Sequence, residues 1–161
     1  MPTTLTVGAQ APDFEAQTDS GGRVSLSSLR GEWVVLYWYP KDDTPGCTME
    51  ACDIRDNWQL LSGEAKIFGI SPDSVESHAR FKQKHSLPFP LLADDGHAIS
   101  EAYGVWGPKT FMGREYMGVD RTTFIIDPDG KIARIMEKVK PAGHALEIAQ
   151  ALKDLKSAAP A

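Results

Sequence analysis

The chain has 161 residues, 42% hydrophobic and 24% charged, with a formal net charge of -5 and only two cysteines. This length supports one domain with a core large enough to fold alone, and the composition is that of a globular protein. The negative balance gives no electrostatic motive for nucleic acid or an anionic membrane as partner, the longest apolar run, Trp33 to Tyr39, is too short to span a bilayer, and two cysteines are too few for a disulfide-stapled scaffold. Met1 to Val7 has no cationic stretch leading into an apolar run, so no signal peptide is expected and a cytoplasmic location is the default. In such a reducing compartment a closely spaced cysteine pair serves redox or metal chemistry more often than crosslinking.

In chain order, Phe14–Thr18 and Arg23–Leu26 flank Asp19-Ser20-Gly21-Gly22 and predict a β-hairpin. Trp33–Tyr39 is apolar at both alternating positions, as in a strand buried on two faces. A helix is expected from Pro45 to Leu61, a strand over Lys66–Ile70, a helix over Val75–His85, a short strand at Pro90–Ala93 and a short helix around Ile99–Tyr103. The Gly-rich, aromatic stretch Gly104–Gly118 reads as a long ordered loop. Arg121–Ile126 and Lys131–Met136 flank Asp127-Pro128-Asp129-Gly130, a hairpin turn by its Pro and Gly placement. Leu146, Ile148, Ala149, Leu152 and Leu155 recur at helical spacing within His144–Lys156, and Ser157–Ala161 reads as a frayed tail. The order predicts one α/β domain over residues 1–161 with a thioredoxin-like fold: a mixed central sheet, helices on both faces and an N-terminal hairpin.

The segment Tyr39-Pro40-Lys41-Asp42-Asp43-Thr44-Pro45-Gly46-Cys47-Thr48-Met49-Glu50-Ala51-Cys52 lies just past the buried strand, where open α/β sheets carry their sites. Thr44 suits an N-cap and Pro45 the first helical position, which puts Cys47 in the first turn. Unpaired N–H groups and the helix dipole favour a thiolate there, and the thiolate is the nucleophile. The plainer reading makes Cys47 a small apolar residue in a packed turn. Thioredoxin-type exchange expects Cys-x-x-Cys, whereas this chain has four residues between its cysteines. Structural zinc needs more ligands, and His78, His85, His97 and His144 are scattered, each reading as a surface or capping residue. Trp38, Trp58, Phe81 and Phe89 read as core, and Trp106, Phe111 and Met112 as candidates for a substrate entrance.

At Pro40-x-x-x-Thr44-x-x-Cys47 the chain resembles the peroxiredoxins, and the fuller string with Glu50-Ala51-Cys52 and Arg55-Asp56 is similar to the bacterioferritin-comigratory-protein or peroxiredoxin Q subgroup. The likeness continues through Leu87–Leu92, Ala102–Gly107 and Arg121–Asp127, with Ile54 standing where a phenylalanine is usual. The resemblance implies that Cys47 is the peroxidatic cysteine, that Thr44 hydrogen-bonds thiolate and peroxide, that Arg121 holds the thiolate ionised and polarises the O–O bond, and that Pro40 shields the sulfur. It implies Cys52 as resolving cysteine, in a disulfide with Cys47 reset by thioredoxin or a similar dithiol, in a monomer acting on hydrogen peroxide and alkyl hydroperoxides. No metal, flavin or haem is expected, because sulfur itself accepts the oxygen. Glu50 is read as a first-turn carboxylate answering the helix dipole and stays outside the catalytic set. Two alternatives stand beside this reading: a one-cysteine peroxidase served by external thiol with Cys52 incidental, and a redox sensor or holdase using the same cysteine.

Overall fold

The apolar run Trp33–Tyr39 does form the middle of a sheet. The structure, a computed structural model, describes residues 5–158. Its strands are β1 (Glu15–Thr18), β2 (Arg23–Ser25), β3 (Val34–Trp38), β4 (Lys66–Ser71), β5 (Leu91–Ala93), β6 (Trp106–Phe111), β7 (Arg114–Val119), β8 (Thr123–Ile126) and β9 (Ile132–Met136). Its helices are α1 (Pro45–Asp56), α2 (Val75–His85), α3 (Ala98–Ala102) and α4 (His144–Ala158). Seven strands make one sheet in the order β2-β1-β5-β4-β3-β8-β9. The β3–β4 and β4–β5 pairs are parallel and the other pairs antiparallel.

Every residue of β3 is buried, because the strand has neighbours at both edges and a packed layer on each face. Alternation divides it: Val35, Tyr37 and Tyr39 join the cluster under α1, α2 and α4, while Val34, Leu36 and Trp38 join the one containing Leu26, Ile99, Tyr103 and Val119. Trp38, Phe81 and Phe89 are core as expected, and Trp58 packs against it half-buried. The order of strands and helices matches the thioredoxin-like α/β expectation.

Three local expectations need correction. The first helix stops at Asp56, not Leu61, because the Asn57 side-chain amide donates to Asp53 O at 2.8 Å and Trp58–Leu60 tightens into a 3₁₀ turn. Gly104–Gly118 is not a loop. It contains the β6–β7 hairpin, paired from Trp106↔Val119 to Phe111↔Arg114. Met112 and Gly113 close it with φ of 50° and 79°, the left-handed pair that a two-residue hairpin turn demands. The tail expected to fray contributes Ser157 and Ala158 to α4, and Ala159–Ala161 lie outside the described residues.

One glycine fits the sheet to the site. Gly69 pairs with Tyr37 in the β3–β4 register, and a Cβ there would meet Tyr37 Oη at 2.8 Å and Leu91 Cδ2 at 2.9 Å. The absent side chain is the space that the Tyr37 ring fills. Gly69→Ala should therefore cost about 1–3 kcal/mol by overpacking, read from the urea midpoint, whereas Gly63→Ala, with nothing within 4 Å of its Cβ, should not show that overpacking cost.

Candidate active site

The loop after β3 turns into α1 at Thr44, and Thr48 N–H donates to Thr44 O at 2.8 Å to close the first turn. Pro45 occupies the first turn as expected, so Cys47 does sit at the helix start. The buried residues of α1 are Cys47, Glu50, Ala51 and Ile54, a spacing of three, four and seven that defines one helical stripe. Cys52 lies off that stripe and is half-buried; both cysteines are free thiols.

Arg121 reaches this stripe from the segment between β7 and β8. Its Nη2 donates to Cys47 Sγ at 3.2 Å and its Nη1 to Glu50 Oε1 at 2.9 Å. The antiparallel pairing Tyr37↔Thr123 explains the meeting, since it sets the end of β3 and the start of β8 side by side. Gly46 allows the approach: a Cβ on it would stand 2.8 Å from Arg121 Nη2. The backbone there is helical, so the glycine serves close contact rather than unusual angles.

Glu50 corrects the sequence reading. It lies in the second turn and is fully buried, its Oε1 bonded to Arg121 and its Oε2 without a hydrogen-bond partner. Burial pushes its carboxyl up to about 8, with Arg121 pulling the other way. Below it the buried Tyr37 hydroxyl also lacks a partner, and burial first, then the charges of Glu50 and Cys47, raise that phenol well above its ordinary range. The signal for Glu50 was available, because a residue three positions after a buried helical cysteine shares its face.

Two of the four histidines are fully buried rather than surface residues. His144 opens α4, with Nε2 2.8 Å from Thr123 Oγ1 and 3.9 Å from Glu50 Oε2; burial lowers its pKa. His78 in α2 bonds Leu92 O through Nε2 at 2.9 Å and Asp42 Oδ2 through Nδ1 at 2.6 Å. Asp42 also accepts from Tyr39 Oη and Ser77 Oγ, and its N–H donates to Asp73 Oδ2. Asp42, Asp73 and His78 bring ligand-type atoms together, but these hydrogen bonds and one from Ser71 Oγ to Asp73 already engage the atoms a cation would need. The group is a fastener. With Asp43 bonded to Lys84 and His85, which hold its carboxyl below the usual range, it ties the loop before Cys47 to α2.

Thr44 departs from its expected capping role. Its side chain makes no cap bond and donates instead to Lys41 O at 2.9 Å, three residues back. Its lone pairs remain, so it can accept from a peroxide O–H. Pro40 is exposed and lines a cleft of about 590 Å³ with Arg121, Lys109, Val119 and Val139. Phe111 and Met112, expected near an entrance, are exposed at the hairpin tip, and Trp106 stacks on His97 with ring centroids 4.0 Å apart. The base of the hairpin, not its tip, borders the cleft. At the opposite end of α1, Asp53 Oδ2 accepts from Ala145 N at 2.8 Å and caps the start of α4.

A buried sulfur at a helix start, within hydrogen-bond reach of a guanidinium that also lines a cleft, has the surroundings that thiol-based oxidoreductase chemistry needs. The chain belongs to the AhpC/TSA family, whose sequence profile matches residues 7–135. Within it the similarity is to peroxiredoxins of the Bcp and Q type. Peroxiredoxin Bcp of Bacillus subtilis is 50% identical over 153 residues, 94% of this chain and 98% of that protein. Peroxiredoxin Bcp of Escherichia coli is 43% identical, covering 87% of this chain and 90% of its own. A structure of Xanthomonas campestris peroxiredoxin Q superposes with a TM-score of 0.85 at 37% identity, covering 94% of this chain and 97% of that one. The chain is a peroxiredoxin, a thiol-dependent peroxidase. Gly46→Ala should leave the fold standing, since alanine suits a helix, but push Arg121 Nη2 off Cys47 Sγ; slower alkylation of Cys47 at unchanged melting temperature is the expected result.

Proposed function

We propose that this enzyme reduces hydrogen peroxide and alkyl hydroperoxides through Cys47, with Arg121 as its electrostatic partner and Cys52 as its resolving thiol. The observation that carries the reading is the Arg121 Nη2–Cys47 Sγ contact of 3.2 Å beside a cleft that Arg121 also lines. In the first step the Cys47 thiolate attacks one peroxide oxygen, the O–O bond breaks, and the second oxygen leaves as water or alcohol after taking a proton. The product is a sulfenic acid. Negative charge builds on the departing oxygen, and a fixed guanidinium beside the sulfur lowers that barrier. Thr44 accepts from the incoming O–H, and Pro40 keeps bulk water from the buried sulfur.

In the second step the Cys52 thiolate displaces hydroxide from the Cys47 sulfur, which leaves as water, and a disulfide forms. Thioredoxin or a similar dithiol then returns two electrons. A monomer acting in the cytoplasm fits this cycle, as does the alkyl peroxide reduction named for the similar Xanthomonas campestris bacterioferritin comigratory protein, whose structure superposes with a TM-score of 0.85 at 36% identity. Among the described residues no helix is long and apolar enough to cross a membrane.

Helix geometry limits the second step. Cys47 and Cys52 lie in one continuous α1. Five residues along a helix rise about 7.5 Å and turn about 140°, placing the Cα atoms roughly 8.6 Å apart. A disulfide needs them within about 7 Å with converging Cβ vectors, so α1 has to unwind locally. Amide exchange over residues 46–53 should be slow in the dithiol form and fast in the disulfide form. Equal protection in both would hand resolution to an external thiol and leave Cys52 incidental.

Cys47→Ser should abolish turnover in a coupled peroxide assay, because no other group in the site accepts an oxygen atom. Arg121→Ala should slow the peroxide step by about 10²–10³, the loss of one oxyanion donor. A wild-type rate in that variant would make Arg121 structural.

A further inference from the structure

Glu50 and His144 have no part in the reaction as written, yet both are completely buried beside it. The hydrogen-bond inventory around Glu50 is unbalanced. An ionised carboxylate wants donors on both oxygens, and here Oε1 has Arg121 while Oε2 has none. A buried oxygen with no donor is where a carboxyl proton belongs. The group facing it across 3.9 Å is His144 Nε2, which also meets the Thr123 hydroxyl at 2.8 Å. With Nδ1 protonated and turned toward Glu147, 3.7 Å away, Nε2 carries the ring's one lone pair, for which the Thr123 hydroxyl and a proton on Glu50 compete.

We propose that His144 is a positioning residue for the peroxide reaction: its Nε2 keeps Glu50 protonated at Oε2, which leaves the Arg121 charge to Cys47. The proposal rests on the role given to Arg121 above. The electrostatic logic is competition for one cation. An ionised Glu50 holds Arg121 as a second anion and weakens its grip on the thiolate and on the developing oxyanion. A neutral Glu50 still accepts one hydrogen bond, which orients the guanidinium without neutralising it. The other charged or titratable groups around Glu50 fit this assignment. On α1, Asp53 disfavours a further anion; on β3, a charge on Glu50 opposes ionisation of Tyr37; on α4, Glu147 draws the His144 proton to Nδ1. Thr123 on β8 is the competitor for Nε2.

The sign of the pH dependence follows. Below the Glu50 titration the carboxyl is neutral and the peroxide step is fast; above it the carboxylate shares Arg121 and the step slows. The test combines infrared difference spectroscopy of the reduced enzyme with stopped-flow rates between pH 6 and 9.5. Glu50→Gln identifies the protonated carboxyl band by its loss and should remove the alkaline decline. In His144→Gln the amide oxygen takes the Thr123 hydroxyl and the amide N–H₂ faces Glu50, a donor in place of an acceptor. The band should then titrate lower by about one pH unit and the neutral-pH rate fall by about half, as the carboxyl goes from mostly neutral to half ionised at pH 7. Thr123→Val removes the competitor and should move the band the other way. A wild-type enzyme with no carboxyl band at pH 7, or two variants that shift the band alike, overturns the proposal, as does a band that moves while the rate does not. Because the band is read without peroxide, its failure is separable from failure of the peroxidase reading.

Discussion

One cation lies between two acids at the start of α1, and the rest of the molecule is arranged to keep it there. Arg121 is 74 residues from Cys47 in sequence, yet its guanidinium spans the sulfur and the Glu50 carboxyl. Antiparallel pairing of β3 with β8 brings the two segments to one edge of the sheet, and Trp38 N–H to Thr122 O at 2.9 Å and Val139 N–H to Arg121 O at 3.1 Å pin the backbone around the arginine. A flexible arginine on a loose loop would lose rotamer freedom with every productive encounter. Here that entropy is spent in folding, and the donors stand ready before peroxide arrives.

The polar interior divides into two kinds. The Asp42–His78 group is closed: every carboxylate and ring atom has a partner, as buried polar networks must if they are to rigidify rather than destabilise. The Glu50–His144–Tyr37 group is open, with Glu50 Oε2, His144 Nδ1 and Tyr37 Oη all without a hydrogen-bond partner. Both cost desolvation, but only the second lies against the Cys47 sulfur. Incomplete satisfaction beside Cys47 suits a group that exchanges a proton, as proposed for Glu50, rather than one that only holds the chain.

Much of this was legible beforehand, for particular reasons. The two-faced burial of β3 and the position of Cys47 in the first turn follow from periodicity and Pro45, both local signals, and α2 runs over the residues expected for it. The β6–β7 hairpin was not, because its strands are exposed, carry Gly and Pro, and turn on Met-Gly where Asn-Gly would have announced it. Glu50 was set aside because a carboxylate near a helix start has an ordinary explanation, and only the tertiary approach of Arg121 removes that explanation. His144 and His78 gave no signal, since their partners Thr123, Glu50, Asp42 and Leu92 are 14 to 94 residues away. Thr44 looks like a cap in sequence, and a carbonyl three residues back takes its hydroxyl hydrogen instead.

The fastening of the loop by Asp42 and Asp43 makes the site asymmetric. Chain on the N-terminal side of Cys47 is tied to α2, so in the proposed cycle the motion that joins the two sulfurs falls on the C-terminal side, within the few residues that separate them. So short a tether, anchored at one end, keeps the effective concentration of one thiol at the other high, and closing so small a loop costs little chain entropy. The same anchor would act as a template when the proposed bond is broken again: the loop that leads into the first turn is already fixed against α2, and the unfavourable nucleation of a new helix is avoided. In the proposed cycle the delivery of electrons by a partner, not the protein's own rearrangement, would then set the pace.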